Sequence, residues 1–109
     1  IIILNYNKYK NIVIKLFMAY FVYILECSDK TYYIGSTDNL EKRLKTHNQL
    51  KSAAHYTKIR RPVVLKYFEK TKTYSLARKR EAELKRFTKA KKKTLIETQP
   101  VNLERFGIL

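Results

Sequence analysis

Between Ala19 and Leu25 every position is apolar or aromatic, and the run closes on Glu26. Its Tyr, Val and Phe content suits a buried strand. Residues Thr31 to Ser36, reading Thr-Tyr-Tyr-Ile-Gly-Ser, are β-prone again, and Ser28-Asp29-Lys30 supplies turn chemistry between the two runs. Together they predict a hairpin. Beyond it the period changes. Asp38 stands where a helix would be capped, Glu41 three residues later completes a capping-box pattern, and Leu40 and Leu44 mark one apolar stripe up to about His47. Residues 48 to 61 mix polar and basic groups around Ala53, Ala54, Tyr56 and Ile59, and suit a short helix or an ordered loop equally. Pro62 stops whatever precedes it, and Val63 to Phe68 is a third strand candidate. Ser75 is placed to cap a second long helix with Leu76, Ala77, Ala82, Leu84 and Phe87 on its buried side, and Thr88 to start a shorter one through about Glu97.

A chain of 109 residues and 13.1 kDa has room for one compact domain and one active site. The domain is expected over 18–98, with an N-terminal extension over 1–17, not necessarily native, before Met18, and a short tail over 99–109. Lys8, Lys10 and Lys15 ahead of the apolar run Leu16 to Leu25 mimic a secretory leader. The run is too short to span a bilayer, and Glu26-Cys27-Ser28-Asp29 offers no small-residue cleavage site, so the strand reading prevails. Hydrophobic residues make up 45% of the chain, with nine Tyr and five Phe, which excludes a disordered polymer. The two glycines leave few tight turns, and Gly35 is the one expected to have a local purpose.

Charge narrows the partners. Lysine and arginine total 24 against 9 acidic residues, a formal +15, and such a surface attracts polyanions and releases their counterions on binding. Nucleic acid is the leading partner, beside the plainer reading of a solvated lysine-rich surface. The single Cys27 excludes an intrachain disulfide and a Cys-cluster zinc site, and fits a reducing cytoplasm.

Phe21-Val22-Tyr23, then nine residues, then Tyr33-Ile34-Gly35, then Arg43 and His47 on the next helix, with Ser75-Leu76-Ala77 leading to Glu81, resembles the GIY-YIG nuclease domain. The likeness is to its small stand-alone bacterial members of the UPF0213 type. It implies an α/β fold: a small, mainly antiparallel three-stranded sheet flanked by helices, with the site on the sheet face near Tyr23, Tyr33, Arg43 and Glu81. It further implies a metal-dependent endonuclease acting on DNA, more than RNA, in repair or processing, with Mg²⁺ or Mn²⁺ as the cofactor. The alternative is a catalytically weak nucleic-acid-binding domain that needs a partner. Phe21-Val22 stands where the family name has Gly-Ile. Asn102 lies too far downstream to replace an asparagine that some members carry beyond the glutamate.

The residue chemistry agrees with those positions. Phosphodiester hydrolysis needs a group to activate water, a cation for the charge developing on phosphate, and usually a metal to clamp its oxygens. Tyr23 and Tyr33 on adjacent strands can present hydroxyls on one face, although a phenol of pKa ~10 becomes a base only beside a cation or metal. Arg43 and His47, four positions apart, share a helical face beside the Leu40 and Leu44 stripe, and a guanidinium suits phosphate oxygens. Glu81 would pair with Lys85 if it were ordinary helix surface, whereas one carboxylate with phosphate and waters also holds Mg²⁺. Lys51, Lys58, Arg60, Arg61, Lys79, Lys85 and Lys89 are the expected phosphate-tracking residues, with Tyr56 available for stacking. Nothing in the pattern encodes base readout or fixes an oligomeric state.

Overall fold

A computed structural model describes residues 19–51 and 53–99; the extension, Asn102 and nearly all of the tail lie outside the described residues. Strand β1 (Tyr20–Glu26) and strand β2 (Tyr32–Thr37) form the expected hairpin, followed by helix α1 (Leu40–Gln49) and the short helix α2 (His55–Lys58). Strand β3 (Val64–Thr71) and helices α3 (Tyr74–Lys85) and α4 (Lys89–Thr98) complete the order. No helix among the described residues is long and apolar enough to cross a membrane.

The sheet has three strands in the order β2-β1-β3, antiparallel throughout. The central position of β1 explains its unbroken apolar run: helices cover both faces, so Val22, Tyr23, Ile24 and Leu25 are all buried. On one face Val22, Ile24, Ile34 and Tyr67 pack with Ala77 and Leu84 of α3, flanked by Phe87, Leu95 and Ile96. On the other, Tyr23 and Leu25 pack with Leu40 of α1 and with Val63 and Leu65, flanked by Phe21, Tyr33, Leu44 and Tyr56. Phe21 and Val22 therefore fit an ordinary strand. The turn is made by Lys30 at φ 68° and by Asp29, whose Oδ1 accepts from Thr31 N at 3.1 Å and Thr31 Oγ1 at 2.6 Å.

Two caps differ from expectation. The α1 cap is Asn39, whose Oδ1 accepts from Lys42 N at 3.0 Å; Asp38 precedes it because β2 runs on to Thr37. The α3 cap is Thr73, whose Oγ1 accepts from Leu76 N at 3.1 Å, so Ser75 is already helical. Thr88 caps α4 as expected. The buried face of α3 is Ala77, Glu81 and Leu84, while Leu76 and Ala82 are exposed: a carboxylate occupies the slot between two apolar turns. Arg80 fastens this helix to β3 by donating from Nε to both oxygens of Glu69 at 3.0 Å.

Gly35 shows why that position excludes a side chain. It sits opposite Tyr23 in the register, and a Cβ there would fall against the Tyr23 hydroxyl and 2.6 Å from Cζ. The Tyr23 ring is buried and cannot step aside. Gly35→Ala is expected to lower stability by about 1–3 kcal/mol through overpacking, read as a reduced midpoint in urea unfolding with an unchanged slope.

Candidate active site

Tyr23 reaches across Gly35 toward α1, where its hydroxyl meets His47 Nε2 at 2.8 Å. His47 Nδ1 lies 2.7 Å from Thr57 Oγ1, and that hydroxyl points to the carbonyl of Ala54 at 3.0 Å. A threonine hydroxyl has one proton, here given to Ala54, so Thr57 Oγ1 must accept from His47 Nδ1–H. Nε2 is then the acceptor and Tyr23 the donor. His47 and Thr57 are both fully buried. Sequence reading missed Thr57, because nothing local distinguishes a threonine in an undefined loop from one directed at a histidine ten residues earlier.

Burial sets the electrostatics of this pair. Desolvation lowers the His47 pKa to about 4, aided by the Arg43 and Arg61 charges, so the imidazole is neutral at physiological pH. Desolvation likewise pushes the Tyr23 phenol up to about 12, although the neighbouring Arg43 guanidinium opposes the shift. Arg43, half-buried one turn before His47, is thus the cation beside both groups. Tyr33 lies on the same face, since its register partner Leu25 is two residues from Tyr23. Its ring meets His47 edge-on at 5.0 Å and stacks with Tyr56 at 6.1 Å.

Glu81 belongs to the opposite face, which alters the expected single-face site. Ser36 follows Gly35 and so points the other way, where its Oγ donates to Glu81 Oε1 at 2.7 Å. Glu81 Oε2 takes Lys85 Nζ at 2.9 Å and Arg78 Nη1 at 3.5 Å. Burial would raise the Glu81 pKa, but the Lys85 and Ser36 hydrogen bonds and the Lys85 and Arg78 charges bring it below the usual carboxylate value. The two halves meet at Gly35-Ser36 on the edge strand β2, and the Glu81 charge is felt at Tyr23. Ser36 was missed because its partner is 45 residues away.

The donor set fits one weakly enclosed divalent ion. Among the described residues no group of three or more His, Cys, Asp and Glu converges. Glu81 would be the sole protein carboxylate, with water and phosphate oxygens completing the shell, as Mg²⁺ tolerates and Zn²⁺ in a closed site does not.

The expected phosphate-tracking residues divide. Lys51, Lys58, Lys79, Lys85 and Lys89 are exposed, though Lys58 Nζ also donates to the Lys51 carbonyl at 3.3 Å and Lys89 lies 6.0 Å over the Tyr32 ring. Arg61 instead caps the end of α1, donating to His47 O at 2.6 Å and Leu50 O at 2.5 Å. Arg60 donates to Asp29 Oδ2 at 3.0 Å and Tyr56 O at 3.1 Å while its guanidinium covers the Tyr56 ring at 3.8 Å. Arg61 thus braces the end of α1, and Arg60 packs against Tyr56.

A three-stranded antiparallel sheet with paired tyrosines, a helical Arg and His, and a glutamate on the third helix is the layout of a GIY-YIG nuclease domain. The profile of the GIY-YIG catalytic domain matches residues 19–94, and the chain belongs to this family. Among its relatives, a UPF0213 protein of Syntrophus aciditrophicus is 52% identical over 80 residues, covering 73% of this chain and 92% of that one. A UPF0213 protein of Staphylococcus haemolyticus is 47% identical over 78 residues, covering 72% and 94%. The fold is similar to the solution NMR structure of a UPF0213 protein from Bacillus halodurans, at TM-score 0.50 and 33% identity over 84% of this chain and 97% of that one. Membership makes the chain a nuclease-family protein with nucleic acid as its substrate class.

Because His47 is neutral when folded and has an ordinary value of 6.5, the unfolded chain binds more protons between pH 6.5 and about 4. Stability therefore falls as pH drops through that window. The expected loss from this group is on the order of 2 kcal/mol between pH 6.5 and about 5. Denaturant midpoints measured against pH should show it, and His47→Gln should flatten that segment of the curve.

Proposed function

We propose that this protein is a divalent-metal-dependent endonuclease that hydrolyses phosphodiester bonds in DNA, in repair or processing. The observation that carries the reading is that edge strand β2, at Gly35-Ser36, brings the Tyr23, His47 and Arg43 group on one face next to Glu81 on the other, whose charge reaches Tyr23. The lone buried thiol of Cys27 accords with a cytoplasmic setting.

Glu81 would hold the ion, Mg²⁺ or Mn²⁺, and a bound ion would neutralise charge developing on the phosphate oxygens. Arg43 binds a phosphate oxygen through its guanidinium fork. That contact also removes one of the charges that keep His47 neutral. Tyr23, pushed up to about 12, is no tyrosinate at neutral pH and serves better as a relay. As water attacks phosphorus, its proton passes to Tyr23 Oη while the Tyr23 proton moves along the existing bond to His47 Nε2; the P–O ester bond opposite the incoming oxygen breaks, its oxygen leaves as an alkoxide that takes a proton from solvent water, and His47 returns its extra proton to solvent. Tyr33 has no such acceptor described and is assigned to lining the substrate position. Lys51, Lys58, Lys79, Lys85 and Lys89 track the phosphate backbone, with Tyr56 and its covering Arg60 beside the site.

The second reading, a nucleic-acid-binding domain that cleaves only with a partner, draws on the high Tyr23 pKa and on the two oxygens of Glu81 being already bonded. Cleavage of branched, single-stranded and duplex DNA with Mg²⁺, Mn²⁺ or EDTA separates the two. Metal-dependent products that fall about 10²–10³-fold in Arg43→Ala and in Glu81→Ala are expected. Salt-sensitive binding without products, or products that persist in both variants, would favour the binding domain.

A further inference from the structure

Glu81 is held by two unlike sets of partners. Ser36, whose Oγ donates to Oε1 at 2.7 Å, is a fixed part of strand β2. The partners of Oε2, Lys85 at 2.9 Å and Arg78 at 3.5 Å, come from the same helix as Glu81. Exposure separates them further: the Glu81 side chain is 8% exposed, against 56% for Lys85 and 57% for Arg78. A carboxylate this deep requires a neighbouring cation, and the nearest one is the tip of a long, water-facing chain that can leave without disturbing the core. Lys85 Nζ thus lies on the oxygen not used by the sheet, the side from which a divalent ion would have to approach.

We propose that Lys85 is a stand-in cation for the metal: it neutralises Glu81 whenever no divalent ion is bound, and leaves Oε2 when one loads. This rests on the metal-holding role proposed for Glu81. Ser36 is the complementary half of the device, because it fixes the carboxylate plane while the cation on the other oxygen exchanges. Released from Oε2, the Lys85 ammonium stands beside the ion's position and is free to meet a phosphate oxygen of the substrate. An ordinary i,i+4 pair predicts something different, namely a contribution that is the same with and without metal.

The test compares full-length wild type, Lys85→Met and Glu81→Gln at fixed pH and low salt, with Mn²⁺ as the probe. Mn²⁺ affinity is read from water-proton relaxation, and stability from thermal midpoints with and without Mn²⁺. Methionine keeps the stem of Lys85 and removes its charge. Lys85→Met is expected to bind Mn²⁺ about fivefold more tightly than wild type, about 1 kcal/mol. It should melt below wild type without the ion and draw level when saturated. Equal or weaker Mn²⁺ binding, or a melting gap that persists at saturation, would overturn the stand-in role. Glu81→Gln separates the two levels of the argument. If it loses Mn²⁺ while Lys85→Met fails to gain, only the stand-in role is lost. If it binds Mn²⁺ as wild type does, the metal-holding role of Glu81 fails and the stand-in with it.

Discussion

The buried hydrogen-bond chain from Tyr23 through His47 and Thr57 to the Ala54 carbonyl ties three separate segments into one site. Strand β1 supplies the phenol, α1 the imidazole and α2 the hydroxyl. Tyr23, His47 and Thr57 are all buried, so the two bonds among them form where water cannot substitute, and losing one of these partners would leave the next unsatisfied at a cost of about 1–3 kcal/mol. Among the described residues no buried side-chain nitrogen or oxygen lacks a partner. With the Thr57 hydroxyl directed at the Ala54 carbonyl, we assign His47 Nδ1 as donor to Thr57 and Nε2 as acceptor from Tyr23. An imidazole whose acceptor nitrogen faces a phenol is what a proton relay requires. Burial keeps both groups neutral at physiological pH.

The second constraint is the alternation of a β-strand. Gly35 and Ser36 point to opposite faces, and each opposes one half of the chemistry. Gly35 leaves room for the Tyr23 ring, and Ser36 orients the Glu81 carboxylate. Because β2 is an edge strand, the two halves need only meet around its rim. Lys85 of α3, bonded to the Glu81 that Ser36 holds, is exposed there, and Lys89 of α4 lies over Tyr32 at the start of the same strand. A chain with formal charge +15 carries a field that attracts polyanions.

Much of this could be read from the residues in order. The hairpin was visible because its two apolar runs and the Ser28-Asp29-Lys30 turn are local signals, and Thr88 marked α4 because no rival cap stands beside it. The other caps went to neighbours of the residues first favoured. Asp38 and Asn39, or Thr73 and Ser75, are all competent side chains, and the strand ends decide between them. Which face Glu81 occupies was not readable, since it depends on which helix covers which side of β1. Leu76 and Ala82 were misjudged for a related reason: the buried slot on α3 between Ala77 and Leu84 is filled by a charged residue that hydrophobic periodicity does not count. The intramolecular partners of Arg60 and Arg61 were not readable, because a charge run does not reveal a helix end or a tyrosine ring beside it.

The direction of the Tyr23–His47–Thr57 hydrogen-bond chain can be observed directly on the His47 ring. Long-range proton–nitrogen correlation on ¹⁵N-labelled protein reports which imidazole nitrogen carries hydrogen, and following it with pH reports when the second proton binds. The expected spectrum is the Nδ1–H tautomer, with Nε2 unprotonated and the ring neutral until the pH approaches about 4. An Nε2–H tautomer, or an imidazolium forming near the ordinary value of 6.5, would contradict the direction of the chain and its burial alike.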